Sequence, residues 1–193
     1  MKAKVNRWAQ SLKTHSRSLS LANADKRKKL ALALMYLSNE HFHSILHLCN
    51  RGIPASGLAL LRPQYEAYIR GLWINYCATD EQVGRVYADK GFKKNNFDML
   101  SALERLDKFN DGRLAHLNGV VWDKSHDFSH GGSIQAKWHI DGESIGSMYT
   151  NKEINGLLMV SSSMSLSNSL SIAELCDNGK VSQKLVISHK RIF

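Results

Sequence analysis

The stretch PASGLALLRPQYEAYIRGLWINYCAT, Pro54–Thr79, decides the fold class. Its apolar residues Leu58, Leu60, Leu61, Tyr65, Tyr68, Ile69, Leu72, Trp73, Ile74 and Tyr76 fall on most faces of a helix. A helix that is apolar nearly all round is a central one. Pro54 suits a first helical turn, where its missing N–H costs nothing. Pro63 either kinks the helix near Ala59 or marks the start of a second segment.

Working outward, the segment Ala24–Asn50 repeats Leu30, Leu34, Leu37, Phe42, Ile45 and Leu48 every three or four residues, the spacing of an amphipathic helix. Asn23 or Asp25 is placed to cap it, and Arg51-Gly52 ends it. Upstream, Val5, Trp8, Leu12 and Leu19 predict a short amphipathic helix over Lys4–Leu21. Downstream, Thr79 or Asp80 caps a short helix through Asp89, and Asn95 or Asn96 opens another to about Phe109. Asn110-Asp111-Gly112 is a turn. Arg113–Trp122 has the pattern of a short helix, and Gly131-Gly132 weakens any helix over Ser125–Trp138. Asp141–Tyr149 reads as a loop. Asn151 caps a last long helix to Leu175, with Ile154, Leu157, Leu158, Met164, Leu166 and Leu170 inward. Asp177-Asn178-Gly179 stops it. The expected architecture is all-α, an antiparallel, up-and-down bundle of about five to seven helices. It is read as one domain over 1–193, with residues 1–22 as an N-terminal amphipathic arm and 181–193 as a basic C-terminal tail.

The bulk properties agree with an ordinary globular chain. Its 193 residues suffice for a hydrophobic core, and only two are proline, which leaves long stretches free to stay helical. Cys49, Cys77 and Cys176 lie far apart in apolar stretches with no metal-binding spacing, and read as reduced core residues. No signal peptide and no run of about 20 apolar residues is evident, so the cytoplasm is expected and a membrane is not. The 26 Lys and Arg against 17 Asp and Glu give a net charge of +9, which suits an acidic partner such as RNA as well as plain solubility. The densest block, Lys26-Arg27-Lys28-Lys29, opens a helix, where cations oppose the dipole. That placement favours a ligand or partner over stability.

Three constellations carry candidate chemistry. Arg62, Glu66 and Arg70 stand at i, i+4 and i+8 on the central helix, one charged stripe on an apolar rod. It reads either as an Arg–Glu–Arg ladder that orients neighbouring helices or as a site where Glu66 faces a substrate or a histidine. The second is His126-Asp127-Phe128-Ser129-His130-Gly131-Gly132, followed by Gln135. Its histidines could serve as acid or base near neutral pH, and its glycines would admit a backbone or a phosphate. The bland alternative is a histidine bonded to a carboxylate at a helix junction. The third, Glu40, His41, His43 and His47, has two histidines at i, i+4 but no HExxH order. It reads as a solvated polar face, and no metal or cofactor is expected. No phosphate-binding loop, dinucleotide fingerprint or nucleophile elbow occurs.

Leu61–Trp73, with its Arg62-Pro63-x-x-Glu66 element, and the later Ser129-His130-Gly131-Gly132 resemble a group of uncharacterised bacterial all-helical proteins. That group is distantly similar to the HEPN superfamily of helical bundles. Many HEPN proteins are RNases of toxin–antitoxin and phage-defence systems and act as homodimers. The resemblance spans roughly Ala31 to Trp138, and the matching positions are Arg62, Glu66, His130, Gly131 and Gly132, with Arg70 and Gln135 as neighbours. The superfamily's nuclease motif, an Arg followed after four to six residues by a His on one helix, has no counterpart in this chain.

The charged stripe, the His-Gly-Gly element and the net charge of +9, beside this resemblance, point to a defence- or toxin-type protein that binds RNA and could act as a metal-independent endoribonuclease. His130 would be the general acid or base, and Glu66 would orient it or act as the second. Arg62 and Arg70 would hold the scissile phosphate. His126, Gly131, Gly132 and Gln135 would contact the substrate. A homodimer, and a cognate protein partner, belong to the same expectation. The rival is a non-catalytic antitoxin, adaptor or homodimeric scaffold whose Arg/Glu/His network is structural. A third reading is a nucleotide or small-molecule pocket lined by Trp73, Trp122 and Trp138.

Overall fold

The computed structural model describes residues 1–16 and 24–193, without the side chains of Ser16 and of residues 123–126. Arg17, Leu19 and Asn23 therefore lie outside the described residues. Ten helices occur among the described residues: α1 (Lys2–Ser16), α2 (Lys26–Asn50), α3 (Pro54–Ala59), α4 (Leu61–Tyr76), α5 (Asp80–Tyr87), α6 (Asn96–Glu104), α7 (Arg113–Ser129), α8 (Ser133–Lys137), α9 (Asn151–Leu175) and α10 (Gly179–Ile192). The chain is all-α. A two-residue-by-two-residue hairpin, β1 (Ile140–Asp141) and β2 (Ser144–Ile145), sits in the stretch expected to be loop.

The count exceeds the expected five to seven for local reasons. The central stretch is broken at Leu60, because Pro63 has no N–H to give the Ala59 carbonyl. Gly131 adopts φ 65° and ends α7 before α8 can continue it. The expected basic tail is itself a helix, α10, capped by the Asn178 side chain and burying Val181 and Leu185. The expected arm is also docked, since Val5, Trp8 and Leu12 of α1 are buried in the core.

Capping follows the residue types. Asp25 accepts from Lys28 N at 2.7 Å at the start of α2. Thr79 and Gln82 form a capping box on α5, and Asn95 caps α6. Helix α9 is capped by Thr150, in a box with Glu153, rather than by the expected Asn151. Threonine stands one position earlier in extended backbone, where its hydroxyl can reach back to the orphan amides. The basic block also has a structural use. Arg27 donates to the Ile74 and Ala78 carbonyls at the end of α4 and pairs with Asp80. Its cation thus sits at the negative end of another helix. Lys28 reaches Asp177 at 3.3 Å.

Helices α2, α4 and α9 form the middle of the molecule, with α2 against α4 the most extensive contact. That contact is close: a Cβ on Gly71 would lie 2.8 Å from Met35 Cγ and 3.1 Å from the Ala31 carbonyl. Helices α1 and α10 pack on each other and on α9, while α6 and α7 pack on α4. One hydrophobic cluster runs through all of them.

The face that α9 turns inward is unusual in being rich in serine. Ser161, Ser162, Ser165, Asn168 and Ser169 are all buried there. The Ser162 and Ser165 hydroxyls donate to carbonyls within α9, and other polar atoms of this face pair across helices. Gln64 of α4 donates to the Ser161 carbonyl (3.0 Å) and accepts from the Ser161 hydroxyl (2.6 Å). Asn168 donates to the Met35 carbonyl (2.7 Å), and the Trp8 indole donates to Ser165 (2.8 Å). These bonds join α1, α2, α4 and α9.

Candidate functional site

The strip of charge on α4 lines an opening in the molecule. Arg62 Nε donates to Glu66 Oε1 at 2.8 Å, and Arg70 Nη2 donates to Glu66 Oε2 at 2.9 Å. Both carboxylate oxygens are thus engaged by guanidinium groups. The ladder is partly buried, with Glu66 19% exposed, Arg62 22% and Arg70 35%. Aromatic rings steady both arginines: Trp122 lies 4.1 Å from the Arg62 guanidinium, and Phe92 lies 5.2 Å from that of Arg70.

The ladder forms one wall of a cleft of about 430 Å³. Leu34, Leu37 and His41 of α2 line another side, and Ser129 and His130 at the end of α7 complete it. The end of α7 is delivered there because α7 packs on both α3 and α4, with Tyr65 donating to Asn118 at 2.8 Å. Arg62, Glu66, Arg70 and His130, read from separate parts of the sequence, therefore come together. The lining carries two fixed positive charges against one negative, and two imidazoles. Two polar atoms in it, Arg70 Nε and Ser129 Oγ, are buried and unpartnered among the described residues. Such a lining suits an anion that brings its own acceptor oxygens.

His41 was missed as a site residue. In sequence it stood with His43 and His47 as a candidate ligand set. The helix separates them: His43 and His47 are exposed, while His41 follows Leu34 and Leu37 at i+7 and i+4 onto the face beside α4. Burial lowers the His41 pKa below the usual imidazole value, partly offset by the neighbouring Glu40. Among the described residues, no group of three or more His, Cys, Asp and Glu is arranged to hold a metal ion.

The glycine element has a different occupant from the one expected. Asp127 Oδ1 accepts from Ile134 N at 3.3 Å, and Oδ2 accepts from Gln135 N at 2.7 Å, at the start of α8. Gly132 N donates to the Asp127 carbonyl at 2.8 Å, and a Cβ on Gly132 would lie 2.0 Å from Asp127 Oδ1. The close approach that glycine permits is therefore made by the chain's own carboxylate. Gly131, Gly132 and Gln135 shape the turn that places His130 at the cleft. The His126 side chain lies outside the described residues.

The three tryptophans do not share a pocket. Trp73 is buried in the core, Trp122 covers Arg62, and Trp138 packs against Phe128 and Tyr149. A larger cavity of about 860 Å³ lies between α1, α2, α9 and α10, but its lining is mainly apolar, including Leu12, Leu32, Tyr36 and Ile172. No helix among the described residues is long and apolar enough to cross a membrane.

Residues 35–192 match the model of a family of unknown function, DUF6988. Neither a curated protein nor a solved structure matches the chain.

Proposed function

We propose that this chain, which belongs to the DUF6988 family, binds RNA in the α4 cleft and cleaves it without a metal. The observation that carries the reading is the convergence of Arg62, Arg70 and His130 on one cleft. The net charge of +9 is consistent with it. Arg62 and Arg70 take the scissile phosphate and offset the charge that builds on its oxygens. The RNA's own 2′-OH attacks the phosphorus. His130 handles a proton in that step, as an imidazole can near neutral pH.

Glu66 has a narrower part than the sequence offered it. With each oxygen already accepting from a guanidinium, it positions the two arginines and is not a proton carrier. The remote likeness to HEPN proteins extends the proposal to a homodimer in a defence or toxin–antitoxin setting, with a cognate protein partner.

A second reading has its own support. Glu66 is fully paired within α4, and Asp127 fills the glycine turn, so the network could serve only to fix helix register in an antitoxin, adaptor or homodimeric scaffold. Purified protein incubated with RNA, with and without EDTA, separates the two. Cleavage that survives EDTA and disappears in folded His130→Ala supports the enzyme. RNA left intact by the wild-type protein favours the scaffold.

A further inference from the structure

We infer that His41 is the second proton carrier of the α4 cleft, working as the base opposite His130 as the acid. The inference rests on the RNA-cleaving reading above and names the residue that reading lacks.

Attack by a 2′-OH needs two proton transfers. One group takes the proton from the 2′ oxygen as it bonds to phosphorus. Another gives a proton to the 5′ oxygen as the P–O bond to it breaks, leaving a 2′,3′-cyclic phosphate and a 5′-OH. The proton count balances between the two groups, and no oxidant or co-reactant enters.

The described lining of the cleft holds five ionisable side chains: His41, Arg62, Glu66, Arg70 and His130. Arginine does not give up its proton in proteins. Glu66 has a guanidinium on each oxygen. His41 and His130 remain. They enter from different elements, His41 from the middle of α2 and His130 from the end of α7, with the arginines of α4 lining the same cleft. A phosphate held by the arginines would have an imidazole available from each of these elements.

The surroundings also separate the two roles. His41 is partly buried against α4, and that burial favours its neutral form. The charged groups around it are Glu40 on its own helix, Arg62, Glu66 and Arg70 on α4, and His130 from α7. A neutral imidazole is ready to accept a proton. His130, in contrast, is exposed.

The test uses the full chain and a labelled single-stranded RNA, with His41→Ala and the milder His41→Gln, both checked for native helicity. Cleavage should fall roughly 100-fold or more in each. Binding of the same RNA made with 2′-deoxy sugars, which cannot react, should be retained. The acidic limb of the pH–rate profile should vanish, and added imidazole should restore part of the rate in His41→Ala. Wild-type cleavage with an unchanged rate and profile in both variants would overturn the role of His41 while leaving the RNase reading intact. Loss of rate together with loss of binding and no imidazole rescue would reassign His41 to structure or binding. A wild-type protein that leaves RNA intact would overturn both.

Discussion

Replacing Glu66 by Gln removes one charge from the ladder and almost no volume. The two ion pairs it breaks have lengths of 2.8 and 2.9 Å and sit in a partly buried setting, Glu66 being 19% exposed. Fully exposed i,i+4 pairs are worth about 0.3–0.5 kcal/mol each, and hydrogen bonds to charged groups up to about 1.5–3 kcal/mol. An intermediate value of about 1 kcal/mol per pair gives about 2 kcal/mol in all. The Gln oxygen still accepts from one arginine, so a loss of about 1–2 kcal/mol is expected. Two guanidinium groups on one face are then left without a counter-charge, and their repulsion is screened by salt. Urea unfolding should therefore show a gap between wild type and Glu66→Gln that is widest at low salt. At matched ionic strength, inorganic phosphate should close the gap further than chloride, because a bound anion takes the place of the carboxylate. Equal stability of the two proteins at low salt would refute the reasoning about the ladder. A gap that is the same in phosphate and chloride would refute the claim that the cleft holds an anion.

Gly132→Ala should destabilise the α7–α8 junction, since its Cβ meets Asp127 Oδ1 at 2.0 Å; a lowered thermal midpoint, partly recovered by adding Asp127→Ala, would be the signature. Gln64→Met keeps the volume but removes both bonds to Ser161. It should cost about 1–2 kcal/mol in urea unfolding, and the double mutant with Ser161→Ala should cost less than the sum of the single changes. Stability should fall as pH is lowered through about 6.5, because burial lowers the pKa of His41, His43 and His189 and the unfolded chain takes up those protons first. His189→Gln should make the urea-midpoint profile shallower between pH 7.5 and pH 5.5, about one pH unit either side of the free imidazole value.

The sequence made the long helices plain because their signals are local. Period-3.6 spacing marks α2 and α9, and Asp25, Thr79 and Asn95 mark three helix starts. The break at Leu60 was legible as one of two outcomes of Pro63, which the sequence alone left open. What escaped depends on partners distant in the chain. The docking of α1 needs Ser165, and the use of Arg27 needs carbonyls at residues 74 and 78. The buried serines Ser161, Ser165 and Ser169 of α9 read as polar in isolation and find side-chain partners on α4, α1 and α2. The site divides the same way. The spacing of Arg62, Glu66 and Arg70 declares the ladder within one helix. Its meeting with His41 and His130 requires three helices to be packed, and no spacing encodes that. The occupant of the glycine turn was missed although Asp127 lies only five residues before Gly132. A turn that reverses the chain brings a near neighbour into the space a ligand was expected to fill.

The serine-lined seam of α9 constrains how this sequence can change over time. An apolar interface tolerates exchange of one aliphatic residue for another. A seam of reciprocal bonds, Gln64 with Ser161 or Trp8 with Ser165, ties each residue type to its opposite number. Drift at these positions must proceed through concerted pairs, and a library randomised at Gln64 and Ser161 should return matched combinations. Because Gln64 lies between Arg62 and Glu66 on α4, the same pairing holds the cleft wall in register.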